Sequence, residues 1–262
     1  MIKYEIKNGL YVIKSGTPIN NKVIMWTTFY YYNGIVIDTG CANTAKEAYK
    51  FVSNLGDIKA ILLTHSHEDH VGGAYLYDEA GFQVYAPEKS IEMLRTPLSI
   101  PEYRKLVWGQ PKPVDAKPLK RNMRFGDIDI KVFDAPGHSD DHVVILINDM
   151  LFIGDLIGSK RPMIAFYTEN YNQIIKTIEE IMLNLKFTNV YGGHIIISKD
   201  EMNDILHYLK KLRERIRELY SESSDIDKIV NTILGKVPEK VHLMEVASGE
   251  EWSRKHLIET LL

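Results

Sequence analysis

Cysteine is nearly missing from this chain. Cys41 is the only one among 262 residues, so no internal disulfide can form and no thiolate-rich metal site can be built. Any metal must then rest on histidine and carboxylate. An excess of one charge is lacking too: 32 Lys and Arg face 35 Asp and Glu, leaving a net charge of −3, and that balance does not pull the chain as a whole towards nucleic acid. No apolar run reaches the length that spans a bilayer, which speaks against a membrane protein. The N-terminus passes straight into strand-like residues with no charged leader, apolar stretch and cleavage site, so the expected location is cytoplasmic. With 45% apolar and 26% charged residues, the composition is that of an ordinary globular protein long enough for one large core.

Turn-forming residues punctuate the first forty positions. Gly9, Gly16, Asn33 and Gly34 separate β-prone runs at Leu10 to Lys14, Val23 to Tyr30 and Ile35 to Asp38. The aromatic run Phe29-Tyr30-Tyr31-Tyr32 reads as alternating sheet faces. Strand then alternates with helix. Ala45, Ala48, Tyr49 and Val52 recur at helical spacing and predict a helix over Ala42 to Asn54, before an apolar strand at Ile58 to Leu63. A helix over Val71 to Glu79 and a strand at Phe82 to Ala86 continue the pattern. Pro87 to Arg124 is irregular and Pro-bearing and reads as an insertion. Strands return at Ile128 to Phe133, Val143 to Ile147 and Leu151 to Ile153, followed by a helix over Tyr171 to Leu185 and a short strand ending at Tyr191. From Lys199 the chain is helical through Tyr220, again from Asp225 to Leu234, and from Trp252 to Leu262. The expected organisation is a main α/β domain over 1–198 and a helical C-terminal subdomain over 199–262.

Only nine histidines occur, yet three fall within six residues, His65-Ser66-His67-Glu68-Asp69-His70. A polar surface loop gives no reason for such clustering, whereas a metal site requires it. In an extended loop after a strand, an i, i+2 pair such as His65 and His67 projects to one side. Asp69 suits the N-cap of the following helix, and Gly72-Gly73 would let that helix lie close on the sheet. Three further candidates end other strands: His138 after Pro136-Gly137, Asp155 after Gly154, and His194 after Gly192-Gly193. Strand ends beside Gly or Pro are where side chains of open α/β folds converge on a ligand. His142 reads as a packing residue, His207, His242 and His256 as solvated or packed, and Cys41 as a buried thiol without catalytic duty.

Taken in order from Asp38 to His194, these blocks resemble those of the metallo-β-lactamase-fold superfamily. They are Asp38-Thr39-Gly40, the HxHxDH run, Pro-Gly-His, Gly-Asp and Gly-His, and they span most of the chain. The resemblance implies a four-layer αββα sandwich as the catalytic domain. It also implies one metal on His65, His67 and His138, a second on Asp69, His70 and His194, and Asp155 shared by both. Asp38 is expected to order the loops by hydrogen bonding and stays outside the ligand set. Five imidazoles and two carboxylates suit Zn²⁺, with Fe²⁺ and Mn²⁺ as competitors, so two Zn²⁺ per chain are the expected cofactors. A hydroxide shared by two such ions, acidified towards a pKa of about 7, would make a Ser or Cys nucleophile unnecessary. Asp69 and Asp155 carry the catalytic roles in this reading.

Departures from individual branches narrow the reaction. The β-lactamases of this fold lack an acidic bridge at the position of Asp155, and the diiron oxidoreductases carry Glu where this chain has His67. RNA-processing nucleases carry a large added domain where only about forty residues part Asp155 from His194. What is left resembles hydroxyacylglutathione hydrolase (glyoxalase II) and related lactonases, which implies hydrolysis of a thioester, ester or lactone-type small molecule. The stretch Pro87 to Arg124, with Tyr103 and Trp108, and the loop Ser159 to Tyr167 are expected to wall the pocket. Lys160, Arg161 and Arg213 are the candidates for holding a substrate carboxylate. Two other readings stay open. One is a metal-dependent ribonuclease or phosphodiesterase, suggested by the charged segment Lys210 to Glu218 and the helical tail. The other is a mononuclear iron persulfide dioxygenase, which keeps the same HxHxDH run. Nucleic acid is not the favoured partner, and the oligomeric state is left open, a dimer among the options.

Overall fold

Two sheets organise the computed structural model, which describes all 262 residues. The first holds seven strands in the order Ile2–Lys7, Leu10–Ser15, Thr27–Tyr32, Ile35–Ile37, Ala60–Leu62, Val84–Ala86 and Lys117–Pro118. Its first four strands form an antiparallel meander, and each later strand joins in parallel. The second sheet has six: Asn122–Phe125, Ile128–Asp134, Val143–Ile147, Met150–Gly154, Asn189–Gly192 and Ile196–Ser198. Here only Met150–Gly154 and Asn189–Gly192 pair in parallel, because the helix Tyr171–Asn184 lies between them in sequence.

Period-two alternation sorts each strand's side chains between two cores. Val12, Tyr30, Ile37 and Leu62 of the first sheet meet Ile130, Ile145, Phe152 and Tyr191 of the second in a shared interior. The opposite faces are covered by helices. Phe29, Tyr31 and Ile61 pack with Ala48, Val52 and Tyr77 of the helices Ala45–Ser53 and Ala74–Glu79. Val144, Leu151 and Ile153 pack with Ile174 and Ile178 of Tyr171–Asn184. The result is the αββα sandwich expected from the sequence. The aromatic run behaves as its alternation requires: Tyr30 faces inward, its hydroxyl donating to the Gly192 carbonyl at 2.6 Å across the sheets, and its neighbours face outward.

The tail continues the outer layer of the second sheet. Helix Lys199–Glu222 starts at a capping box, with the Ser198 hydroxyl accepting the Glu201 N–H and the Glu201 carboxylate accepting the Ser198 N–H. Its Met202, Leu206 and Leu209 share a core with Ile174, and so do Ile229 and Leu257 further on. Strand Trp252–Ser253 returns to pair with Ala165–Phe166. No helix is long and apolar enough to cross a membrane.

The structure differs from the local expectations at six points. The strand read over Val23 to Tyr30 divides into a short hairpin, Pro18–Ile19 with Lys22–Val23, and the sheet strand Thr27–Tyr32, because Ile24 is 54% exposed and pairs with nothing. The stretch 87–124 is more than an insertion, since its end supplies the last strand of one sheet and the first of the other and so carries the chain between layers. Helix Glu239–Ala247 was not anticipated, because its apolar residues form no single stripe. Finally, the helix expected over Val71 to Glu79 is two pieces, Glu68–Val71 and Ala74–Glu79, broken at Gly72-Gly73. His67 holds the N-cap position, and Asp69 lies inside the first turn. The glycine pair packs against the Thr39 to Ala42 loop and not on the sheet: a Cβ on Gly72 would overlap the backbone of Cys41 and Ala42. Gly72→Ala is expected to cost about 3 kcal/mol of stability through overpacking against backbone that cannot yield, which chemical denaturation would measure.

Candidate metal centre

Four strands and one short helix deliver the site. His65 and His67 follow Ala60–Leu62, His138 follows Ile128–Asp134, Asp155 follows Met150–Gly154 and His194 follows Asn189–Gly192, while Asp69 and His70 lie on the short helix Glu68–Val71, held beside the end of Ile35–Ile37. The seven side chains come together in two groups, His65, His67 and His138 in one and Asp69, His70, Asp155 and His194 in the other. Within each group the nitrogen and oxygen atoms lie within 4.8 Å of one another. Asp155 connects them: its Oδ2 is 3.3 Å from His194 Nε2 and 3.8 Å from His138 Nε2, and its Oδ1 is 3.2 Å from His70 Nε2. Such close approach needs Gly193, where a Cβ would strike Asp155 and the His70 ring. A 2.7 Å bond from the Thr28 N–H to the Gly193 carbonyl ties that turn to the first sheet.

Hydrogen bonds on the outer nitrogens decide what the rings present inward. His70 Nδ1 donates to Asp38 at 2.7 Å, His138 Nδ1 to Glu169 at 2.9 Å and His194 Nδ1 to the Trp26 carbonyl at 3.0 Å; a carboxylate or carbonyl can only accept, so each Nδ1 carries a proton. His65 follows by one more step. The Thr64 hydroxyl donates to Asp38, leaving its oxygen to accept from His65 Nδ1 at 3.0 Å. In four of five rings Nε2 is therefore the atom offered to the cluster, held by outer partners of the kind that orient metal-binding histidines. The fifth, His67, turns Nδ1 to within 2.9 Å of His138 Nε2.

The two groups differ electrostatically. Burial, and then repulsion from the surrounding imidazoles, holds His65 well below its ordinary value, and burial with His138 brings His67 down to about 3. His138, the third member, moves the other way: burial opposes its charge, but Glu169 and Asp155 raise it. In the other group burial opposes charge but the carboxylates win: Asp155, Asp69 and Asp38 raise His70 well above the imidazole range, and Asp155 and Asp69 raise His194. Asp155 itself, despite burial, is held well below the carboxylate range by His194 and His70. This second group demands positive charge. The buried His65 Nε2, His70 Nε2 and Asp155 Oδ1 also have no hydrogen-bond partner; although His70 Nε2 and Asp155 Oδ1 are close, they are not aligned on each other. Orphaned donors converging in an all-nitrogen and oxygen set fit divalent metal ions.

Three comparisons agree with this geometry. The sequence profile of the metallo-beta-lactamase superfamily matches residues 33–194, a span that includes Asp38 and all seven cluster residues. The chain belongs to that superfamily. A beta-lactamase-like protein 2 homolog of Drosophila melanogaster is 28% identical over 206 residues, which cover 71% of this chain and 62% of that protein. A hydroxyacylglutathione hydrolase of Shewanella baltica is 30% identical over 163 residues, covering 61% and 55%. The matched region thus spans less than two thirds of either relative's length. A metallo-beta-lactamase from Pontibacter korlensis superposes with a TM-score of 0.62 at 17% identity, covering 80% of this chain and 99% of that one, a likeness of fold.

Around this superfamily centre stand residues that the sequence reading passed over. Asp141 accepts the Ser66 N–H at 2.9 Å and the hydroxyls of Ser90 and Ser139, pinning the HxHxDH loop to the His138 loop. Glu169 joins His138 to the Phe166 N–H at 2.9 Å, and Glu68 receives a two-pronged contact from Arg104 at 2.6 and 2.5 Å. No spacing rule marks these acids, because each pairs with a residue more than thirty positions away. His142, read as packing, accepts the Asp155 N–H through Nε2 at 3.0 Å; His207 bonds within its helix and His256 to the Glu169 carbonyl. Cys41 is buried between Ser15 and Thr44, away from the centre. A cavity of about 640 Å³ opens on His67, Asp69, His138, Asp155 and His194, and Tyr103, Trp108 and Phe166 line it from the two expected segments. Lys160, Arg161 and Arg213 do not line it: Lys160 pairs with Glu201, Arg161 lies over Tyr208 and Arg213 reaches Asn172. A larger open groove of about 1280 Å³ past Lys89, Arg121 and Lys131 takes in none of the seven residues.

Two outcomes are expected. Zn²⁺ titrated into metal-free protein at pH 7 in weak buffer should release protons, because the carboxylates that raise His70, His194 and His138 favour their protonated forms until a cation replaces the proton. An indicator dye reads this directly. Glu169→Gln, which weakens the partner of His138, should lower metal affinity about 10- to 100-fold in a chelator competition.

Proposed function

We propose that this chain is a metal-dependent hydrolase that cleaves a thioester, ester or lactone with water, at a centre of two zinc ions. His65, His67 and His138 would hold one ion, Asp69, His70 and His194 the other, and Asp155 both. The position of Asp155 carries the reading, since one carboxylate oxygen lies within 4 Å of a histidine from each group. A bound pair of divalent ions supplies Lewis acidity for a carbonyl oxygen and acidifies water. The superfamily assignment and the hydroxyacylglutathione hydrolase relative support the hydrolytic chemistry.

The chain's own residues account for the remainder. No serine or cysteine faces the cavity beside a base, so water is the nucleophile. Asp69 and Asp155 line the cavity and are both held below their usual values, burial being outweighed by His70 and His194. As ionised carboxylates they orient the water and take its proton as oxygen adds to the carbonyl carbon. The carbon–sulfur or carbon–oxygen bond then breaks, and the proton passes to the departing thiol or alcohol. Asp38, Glu169 and Thr64 keep the histidine rings in place throughout.

Elemental analysis joined to a panel of thioesters, lactones, phosphodiesters and RNA tests this. Two zinc ions per chain and acyl hydrolysis are expected. Asp155→Ala should reduce kcat/KM by more than about 100-fold while the circular dichroism spectrum is unchanged, because both groups lose a shared carboxylate. One iron per chain with oxygen uptake, or metal-dependent RNA cleavage without acyl turnover, would sink the proposal.

A further inference from the structure

The cavity beside the centre is walled mainly by apolar side chains. Twelve of its twenty-one lining residues are hydrophobic, Met25, Val107, Trp108, Phe166, Met244 and Trp252 among them. Its volume, about 640 Å³, is in the range that encloses most of a small ligand. Two cations line it. Arg104 is occupied by Glu68 and has Glu251 3.8 Å away, while Lys240 follows Glu239 at the start of its helix. Neither wall nor mouth therefore presents a cluster of free cations for a polyanionic carrier.

Large apolar side chains are also left uncovered at the mouth. Ile24, Leu106 and Leu243 are 54%, 59% and 58% exposed, and all three line this cavity although they come from three separate segments. Leu243 lies on Glu239–Ala247, which is held near the site because the following strand Trp252–Ser253 pairs with Ala165–Phe166. Tyr103 donates to the Glu251 carboxylate, and Arg104, bonded to Glu68, lies 3.8 Å from Glu251, so the helix Glu102–Val107 is fastened to the same tail. A largely apolar funnel leading to the polar centre suits a hydrocarbon chain that ends in a reactive carbonyl.

We propose that the funnel takes an apolar acyl chain, so that the substrate is a thioester, ester or lactone of a medium-length fatty acyl group; this rests on the hydrolase reading above. Of the two arms of such a substrate, the acyl arm is hydrocarbon and matches the walls, while the polar carrier faces solvent. The tail helix Glu239–Ala247 is then a specificity wall.

The test uses the zinc-loaded 262-residue chain and acyl thioesters of one small uncharged thiol, from acetyl to dodecanoyl. kcat/KM should rise about fourfold per added methylene until the funnel is filled, mostly through KM. In parallel, the fluorescence of Trp108 and Trp252 is followed on titration with straight-chain alcohols from butanol to dodecanol, whose dissociation constants should fall by a similar factor per methylene. Leu243→Ser and Leu106→Ser change exposed positions and remove no core packing. Each should lower the decanoyl-to-acetyl ratio of kcat/KM, and the affinity for decanol, about tenfold. Alcohols that bind tighter with length, without turnover of any acyl substrate, would uphold the funnel and overturn the hydrolase reading. Turnover indifferent to chain length, with alcohols that bind no tighter as they lengthen, would overturn the funnel.

Discussion

The buried carboxylate of Asp38 is the point from which the centre is hung. It leaves the strand Ile35–Ile37 with a φ of 59°, a left-handed conformation that Asp tolerates better than most residues. From there it accepts the Thr64 N–H, the Thr64 hydroxyl and the His70 ring. Thr64 passes the constraint on to His65, and Thr39 adds bonds from its N–H and hydroxyl to the His70 carbonyl. One short turn thereby clasps both ends of the HxHxDH run. Two rings that would otherwise rotate freely are committed to offering Nε2, before any ion arrives.

A cluster of buried polar groups is costly to hold together, and the fold meets that cost by rigidity. The two sheets share a core of Val, Ile, Leu and aromatic side chains, so the strand ends carrying His138, Asp155 and His194 cannot drift independently. Asp141 and Glu169 lock the loops between them. The charge pattern is uneven by construction: in the first group His65 and His67 are held neutral while Glu169 and Asp155 favour the charged form of His138, and in the second two carboxylates around two imidazoles attract positive charge. Asp155, lying between them, makes the two halves one electrostatic unit.

Much of the framework was legible because its signals are local. Strand alternation, helical spacing and glycine punctuation placed most elements within a few residues, and the Phe29 to Tyr32 run declared its two faces. Legibility failed where a local rule had a rival. Asp69 looked like an N-cap, but its side chain is taken by the cluster and His67 stands at the cap. Helix Glu239–Ala247 has no apolar stripe to show, since its residues face a cavity on one side and solvent on the other. The irregular stretch 87–124 concealed the crossover between the sheets because each edge strand there is only two to four residues long.

The sequence by itself determined which chemistry is available. With one cysteine and with histidine concentrated at strand ends beside glycine, only a nitrogen and oxygen site could be assembled, and the order of motifs pointed to one sandwich fold. Tertiary structure alone decided how those residues relate: that Asp155 lies between two groups, that Asp38 reaches His65 through Thr64, that Glu68 and Arg104 join the centre to the tail, and that the walls are apolar. The reason is physical. Composition and periodicity are properties of neighbours along the chain, whereas ring orientation, shared carboxylates and cavity lining arise from contacts between positions from seventeen to over a hundred residues apart.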